Sequence, residues 1–217
     1  MKITVYQAKG AAGKTPIATN IALDREYAIG TNEAFHVYEG FIPEERLMAL
    51  DLTESFPEIP EEIDIVFDLA GAISKASHSI TSALLQSDLV IVPISNEVKS
   101  LMGGIGTLRE FSKLDGFKAQ VLIVATKLKK GRKEIFGKDE WEKSGDFKNI
   151  QDSIRTAGFD YPVLPSKFSS AYDAIFEREM SVAQICEADP LSAYSFREVR
   201  NQFDAIYQFL DKMNHAK

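Results

Sequence analysis

The chain has a single cysteine, Cys186, and three scattered histidines, His36, His78 and His215. One cysteine excludes an internal disulfide and a cysteine-rich metal site, and it points to a reducing cytoplasm. A histidine centre could be assembled only by the fold, because no pair has ligand spacing. Basic charge is also in short supply. Lys and Arg number 25 against 32 Asp and Glu, for a net charge of −7, which argues against wholesale coating of nucleic acid but leaves room for a local basic patch. No apolar run approaches the roughly 20 residues of a membrane span. Lys2 is followed only by a short apolar stretch ending in a polar loop, so no secretory leader is expected.

What is present is an ordinary globular composition, 45% hydrophobic and 26% charged over 217 residues. That length fits one domain with a full core. Runs dense in Val and Ile predict strands at Ile3–Tyr6, Tyr27–Ile29, Ile63–Leu69, Leu89–Ile94, Val121–Ala125 and Tyr161–Leu164. They do not alternate with polar residues, as expected of strands buried on both faces. Between them lie predicted helices at Thr15–Leu23, Ser77–Gln86, Gly103–Lys113, Asn149–Ala157, Ala171–Arg178 and Phe196–Met213. Strand and helix in alternation predict an α/β fold with a doubly wound, mostly parallel sheet flanked by helices on both faces.

The first strand runs into Lys9-Gly10-Ala11-Ala12-Gly13-Lys14-Thr15-Pro16. A small-residue turn between a strand and a helix points backbone N–H groups into a concavity, and the helix adds the positive end of its dipole. Lys14 is placed to reach terminal phosphates, and the Thr15 hydroxyl to ligate Mg2+. The standard phosphate-loop pattern asks for Gly where this chain has Ala8. Pro16 is tolerable, because the first helical turn has free N–H groups in any case.

A second motif is the run Ile63 to Gly71, in which an apolar strand ends in Asp68 and a small-residue turn follows. A carboxylate at a strand end beside a phosphate loop can hold Mg2+ directly or through water. Gly71 is placed to bring a backbone N–H to a γ-phosphate.

Lys9-Gly10-x-x-Gly13-Lys14-Thr15 resembles the deviant Walker A loop of the ParA/MinD family of ATPases, which is written KGGxGK[ST]. Asp68 corresponds to its Walker B aspartate, and Ser87 to Ile94 resembles its next strand. The segment Val163-Leu164-Pro165-Ser166 with Ala171, Ala174 and Met180-Ser181-Val182 resembles its late part. The likeness covers about residues 1–185 and is closest to small plasmid-partition ParA proteins. It implies a single ATPase domain over residues 1–217, with no separate N-terminal DNA-binding domain.

The resemblance also implies roles. ATP or ADP with Mg2+ would sit on Gly10, Ala11, Ala12, Gly13, Lys14, Thr15 and Pro16, with Thr15 and Asp68 as metal ligands. Lys9 would cross an ATP-dependent homodimer to the partner's phosphates. Thr126 and Lys127 stand where relatives often carry a base-binding Asn, and Pro165 and Ser166 would form a Pro-led loop beside the adenine. Partners would be a centromere-binding adaptor and non-specific DNA, and localisation would be cytoplasmic and nucleoid-associated.

The chain also departs from the family pattern. Ala11 replaces the second loop glycine, which costs little if its φ is negative and more if the turn needs a positive φ. The acidic segment after the second strand, which places an aspartate near the attacking water, is missing. Asn32 or Glu33 could stand in, since an amide or a carboxylate can position water, and slow or partner-stimulated hydrolysis is expected.

The basic cluster Lys127, Lys129, Lys130, Arg132 and Lys133 reads either as a DNA-backbone contact or as a solvated surface interleaved with acids. Arg197 and Arg200 on the last helix are a second candidate. A membrane-targeting tail is not expected, because Asp204 and Asp211 offset Lys212 and Lys217. The nitrogenase-reductase branch is not expected, because one cysteine per chain cannot supply the ligand pairs of a bridging cluster. Two other functions stay open: a metabolic ATP-dependent enzyme of the dethiobiotin-synthetase type, and a weakly hydrolysing, nucleotide-bound scaffold.

Overall fold

The Val- and Ile-rich runs pair into one sheet. In the computed structural model, which describes residues 1–51, 53–71 and 77–215, the strands are β1 (Lys2–Val5), β2 (Ala28–Thr31), β3 (Leu47–Ala49), β4 (Ile65–Asp68), β5 (Leu89–Ser95), β6 (Gln120–Leu128) and β7 (Val163–Lys167). All pairings are parallel, in the order β3-β2-β4-β1-β5-β6-β7. β1 lies inside the sheet, with β2–β4 on one side and β5–β7 on the other. The loop leaving β1 therefore opens at the point where strand order reverses, where open α/β sheets bind ligands.

Seven helices among the described residues cover the sheet: α1 (Lys14–Arg25), α2 (Ser77–Gln86), α3 (Val98–Phe111), α4 (Gly145–Thr156), α5 (Ala171–Arg178), α6 (Val182–Ala188) and α7 (Pro190–His215). Alternation along each strand divides the core into two layers. Ile3, Val5, Val66, Leu89, Ile91, Leu122 and Val124 face α1, α5, α6 and α7. Ile65, Phe67, Val90, Val92, Ile94, Val121 and Ile123 face α2, α3 and α4. Both faces are thus buried, which is why the strands read as continuous apolar runs. The stripe Val199, Phe203, Ile206 and Leu210 puts α7 into the first layer as core. Among the described residues no helix is long and apolar enough to cross a membrane; Lys217 lies outside them.

Some boundaries differ from expectation. α7 begins at Pro190 rather than Phe196. Asp189 caps it by accepting from the Leu191 and Ser192 N–H groups, with Pro at the first helical position. β3 was not anticipated. It is three residues long at the sheet edge, too short for a periodic signal. Pro165 and Ser166 lie in strand β7 rather than in a loop. Pro165 can do so because it pairs with Ala125 at the outer strand, where a missing N–H donor costs nothing.

Candidate functional site

Lys9 to Gly13 form the turn between β1 and α1. Gly13 is the N-cap of α1 with φ 93°, in the left-handed region that favours glycine, and it offers no side-chain cap. The first-turn N–H groups of α1 therefore have no side-chain acceptor and suit an anion. Ala11 also has a positive φ, 62°. The departure from the glycine pattern is thus the costly kind: a non-glycine residue in this region stores about 1–2 kcal/mol.

Three elements hold the loop from outside. From β6, the Thr126 hydroxyl donates to the Ala12 carbonyl at 2.9 Å and the Lys127 ammonium to the Ala11 carbonyl at 2.7 Å. From α3, Thr107 accepts from the Ala8 N–H at 3.1 Å. After β4, Gly71 lies against the loop so closely that a Cβ there would be 3.1 Å from Ala8 O, Gly10 N and the Lys9 carbonyl carbon. That contact is the physical reason for glycine at position 71.

Under the loop, Asp68 is buried at the end of β4. Tyr38 donates to its Oδ2 at 2.7 Å, and Oδ1 is buried with no partner in hydrogen-bonding geometry. Burial raises the Asp68 pKa to about 6, against the lowering effects of the Tyr38 and Thr15 hydroxyls and the Lys14 charge. Lys14 is itself buried, and desolvation lowers its pKa, opposed by Asp68 and then Glu33. A buried carboxylate oxygen without a donor, next to a threonine hydroxyl, is a hard-oxygen set that fits Mg2+. Tyr38 was not anticipated from the sequence. It sits in an irregular segment after β2 with no periodic or motif signal, and only the fold brings it to Asp68.

Two adjoining clefts open on this loop. One, of about 460 Å3, is lined by Gly10 to Pro16, Glu33, Gly71 and Lys127. The other, of about 180 Å3, is lined by Gly13, Pro16, Ile17, Thr126, Lys127 and Ser166 together with Phe168, Tyr172 and Asp173. They share Gly13, Pro16 and Lys127. The first is lined mainly by the small residues of the loop with Lys14, Lys127 and Glu33, and the second carries an aromatic and aliphatic wall of Ile17, Phe168 and Tyr172. In the second, Ser166 and Tyr172 share a 2.6 Å hydrogen bond, and burial pushes the Tyr172 phenol up to about 12. Phe168 and Tyr172 had not been singled out in the sequence. An aromatic following a strand end is too common to signal a cleft.

Other predicted residues fall elsewhere. Asn32 is fully buried: its Oδ1 accepts from the Ala70 N–H and its Nδ2 donates to Ser79, each at 2.7 Å. Its amide ties the end of β2 to the turn after Asp68, whereas Glu33 lines the larger cleft. Pro165 is buried in β7 and does not line either cleft. Lys9 is exposed, with its stem against Gly103 of α3. The basic residues after β6, Lys129, Lys130, Arg132 and Lys133, are all exposed. Lys129 lies over the Phe168 ring, and Lys130 over Phe136, whose carbonyl it also meets. Arg197 and Arg200 pair with Asp139 and Glu187 at 3.3 Å each.

No protein-family model and no curated protein matches the chain. Solved structures do. The ATP complex of an McdA variant from Cyanothece aligns with a TM-score of 0.63 at 15% identity, over 94% of this chain and 96% of that one. A candidate plasmid-partition protein of Borrelia burgdorferi bound to AMPPNP aligns at 0.60 and 14%, over 96% and 98%. The septum site-determining protein MinD of Pyrococcus horikoshii with Mg-ADP aligns at 0.55 and 15%, over 94% and 96%. At these identities the likeness establishes the fold, which is the P-loop fold of the ParA/MinD ATPases.

Proposed function

We propose that this chain is an ATPase of the ParA type, working as a nucleotide-dependent dimer switch in partition or positioning of a cargo. The observation that carries the reading is the pair of clefts joined at Gly13, Pro16 and Lys127, with Lys14 lining the larger one and the buried Asp68 close enough to act on the Lys14 charge. One cleft suits a polyphosphate and the other a planar base. ATP would lie with its phosphates on Gly10 to Thr15 and its base between Pro16, Ile17, Phe168 and Tyr172.

Thr15 and Asp68 would hold Mg2+, which neutralises phosphate charge and orients the terminal phosphoryl group. Lys14, already desolvated, meets the β- and γ-phosphates without having to shed a full hydration shell. Gly71 offers its N–H from the turn behind the loop. Glu33 is the residue we assign to orient the attacking water, because the Asn32 amide is engaged at both ends. A lone, part-exposed glutamate on an irregular segment is a weak device for that task, which supports slow turnover accelerated by a partner protein.

Lys9 is exposed, packs its stem against Gly103 and does not line the cleft of its own chain; in the dimer reading it would reach a second copy. Non-specific DNA and a centromere-binding adaptor complete the proposal. For DNA, exposed Arg132 and Lys133 are better placed than Arg197 and Arg200, whose charges are locally balanced.

The test is light-scattering mass with and without ATP·Mg2+, for the wild type and Lys14→Ala. Wild-type dimerisation on ATP, absent in the variant, is the expected result. Nucleotide binding with unchanged mass would remove the dimer switch and favour a metabolic or scaffold role.

A further inference from the structure

Four non-glycine residues among those described have left-handed backbone: Ala11, Glu26, Lys127 and Glu179. Glu26 and Glu179 have an ordinary reason. Each follows the last turn of a helix and donates its N–H back to it, to Ala22 and Ile175 respectively. Ala11 and Lys127 have no such reason, and they touch each other. Lys127 reaches across 116 positions of sequence to donate to the Ala11 carbonyl at 2.7 Å.

The position of Lys127 comes from an irregularity in β6. The pairing of β6 with β7 shifts register between Ala125 and Leu128. A bulge re-aims the side chain within it, and here Lys127 turns from the sheet toward the clefts, both of which it lines. Its neighbour Thr126 holds the next carbonyl of the loop, that of Ala12, at 2.9 Å. In a trans peptide the C=O and N–H of one unit point in opposite directions. Drawing the carbonyls of Ala11 and Ala12 toward β6 therefore turns the N–H groups of Ala12 and Gly13 away from it. A left-handed alanine persists only where its surroundings over-determine it.

We propose that Lys127 is a positioning residue for the phosphate loop. Acting through the Ala11 carbonyl, it imposes on alanine the conformation that glycine at that place would adopt unaided. Lys127 and Ala11 are then a compensating pair. Its consequence for nucleotide affinity rests on the ATP-binding reading above, whereas its consequence for the nucleotide-free protein does not.

The test is a double-mutant cycle of Ala11→Gly and Lys127→Asn, asparagine being tolerant of the left-handed region while lacking the ammonium. ATP·Mg2+ affinity and urea unfolding of the nucleotide-free protein are measured for all four proteins. With Ala11 present, Lys127→Asn weakens ATP binding about tenfold, the scale of one hydrogen bond from a charged donor. In the Ala11→Gly background the same change costs about twofold or less, because glycine reaches the left-handed region without help. The unfolding midpoints of the nucleotide-free proteins show coupling of the same sign.

An equal loss of affinity in both backgrounds would overturn the proposal, because Lys127 would then contact the nucleotide itself. No loss in either background, or additive midpoints in the nucleotide-free protein, would overturn it as well. If none of the four proteins binds ATP, the nucleotide reading fails, and the unfolding cycle still decides whether Lys127 holds Ala11.

Discussion

Replacing Asp68 by Asn should make the nucleotide-free protein progressively more stable than wild type as pH rises, at the cost of its ligand. Asp68 is buried, and its pKa is raised from 3.8 to about 6, chiefly by desolvation. A carboxyl whose folded pKa lies above its unfolded value favours the folded state while it is protonated. Its contribution is fully present below pH 3.8 and is lost as pH rises through about 6. The shift of about two units corresponds to about 3 kcal/mol at 1.36 kcal/mol per unit.

Asparagine has no such titration. It keeps an acceptor for the Tyr38 hydroxyl and places an amide near Lys14, a cost that does not vary with pH. Urea unfolding of both proteins from pH 4 to 8 reads the difference directly. The stability of Asp68→Asn relative to wild type should climb by about 3 kcal/mol between pH 4 and 7 and then level off. With ATP·Mg2+ the order should reverse, since only the wild type gains the binding term, about 4.1 kcal/mol at a thousandfold excess over Kd. A difference that is flat with pH, or that falls as pH rises, would refute a desolvated Asp68.

Tyr38→Phe removes the hydroxyl that donates to the buried carboxylate. The inflection of the same pH profile should move upward, and an unmoved inflection would show that Tyr38 does not govern Asp68. Gly71→Ala brings a methyl to 3.1 Å from three backbone atoms of the loop; unfolding should show a loss of about 1–3 kcal/mol together with weakened ATP binding, and an unchanged protein would mean that the loop yields freely. Gly103→Ala places a Cβ 2.8 Å from that of Lys9, outside the clefts. ATP affinity should persist while ATP-dependent dimer mass falls in light scattering, and equal loss of both would contradict the separate role given to Lys9.

Much of the fold was legible because its signals are local. Strands buried on two faces must be apolar throughout, so Leu89–Ser95 and Ile65–Asp68 announce themselves. The loop from Gly10 to Thr15 is legible because phosphate binding needs small residues, a lysine and a hydroxyl at close spacing. Glu33 and Asn32 illustrate the opposite case. Both were candidates to orient water, and only tertiary hydrogen bonds, to Ala70 and Ser79, distinguish the buried amide from the residue at the cleft. The basic run after β6 reads in the sequence either as a DNA contact or as a solvated surface, and only the fold shows Lys129 and Lys130 lying over the rings of Phe168 and Phe136.

Spacing along the chain, then, carried the α/β class, the phosphate loop and the strand-end carboxylate, since each depends on neighbours within a few residues. Tertiary structure alone decided the backbone angle of Ala11, the reach of Lys127 to it and the hydroxyl of Tyr38 on Asp68. Those contacts join residues from 30 to 116 positions apart. The Ala11 carbonyl is received by Lys127, and that partner exists only once β6 lies across the end of the loop.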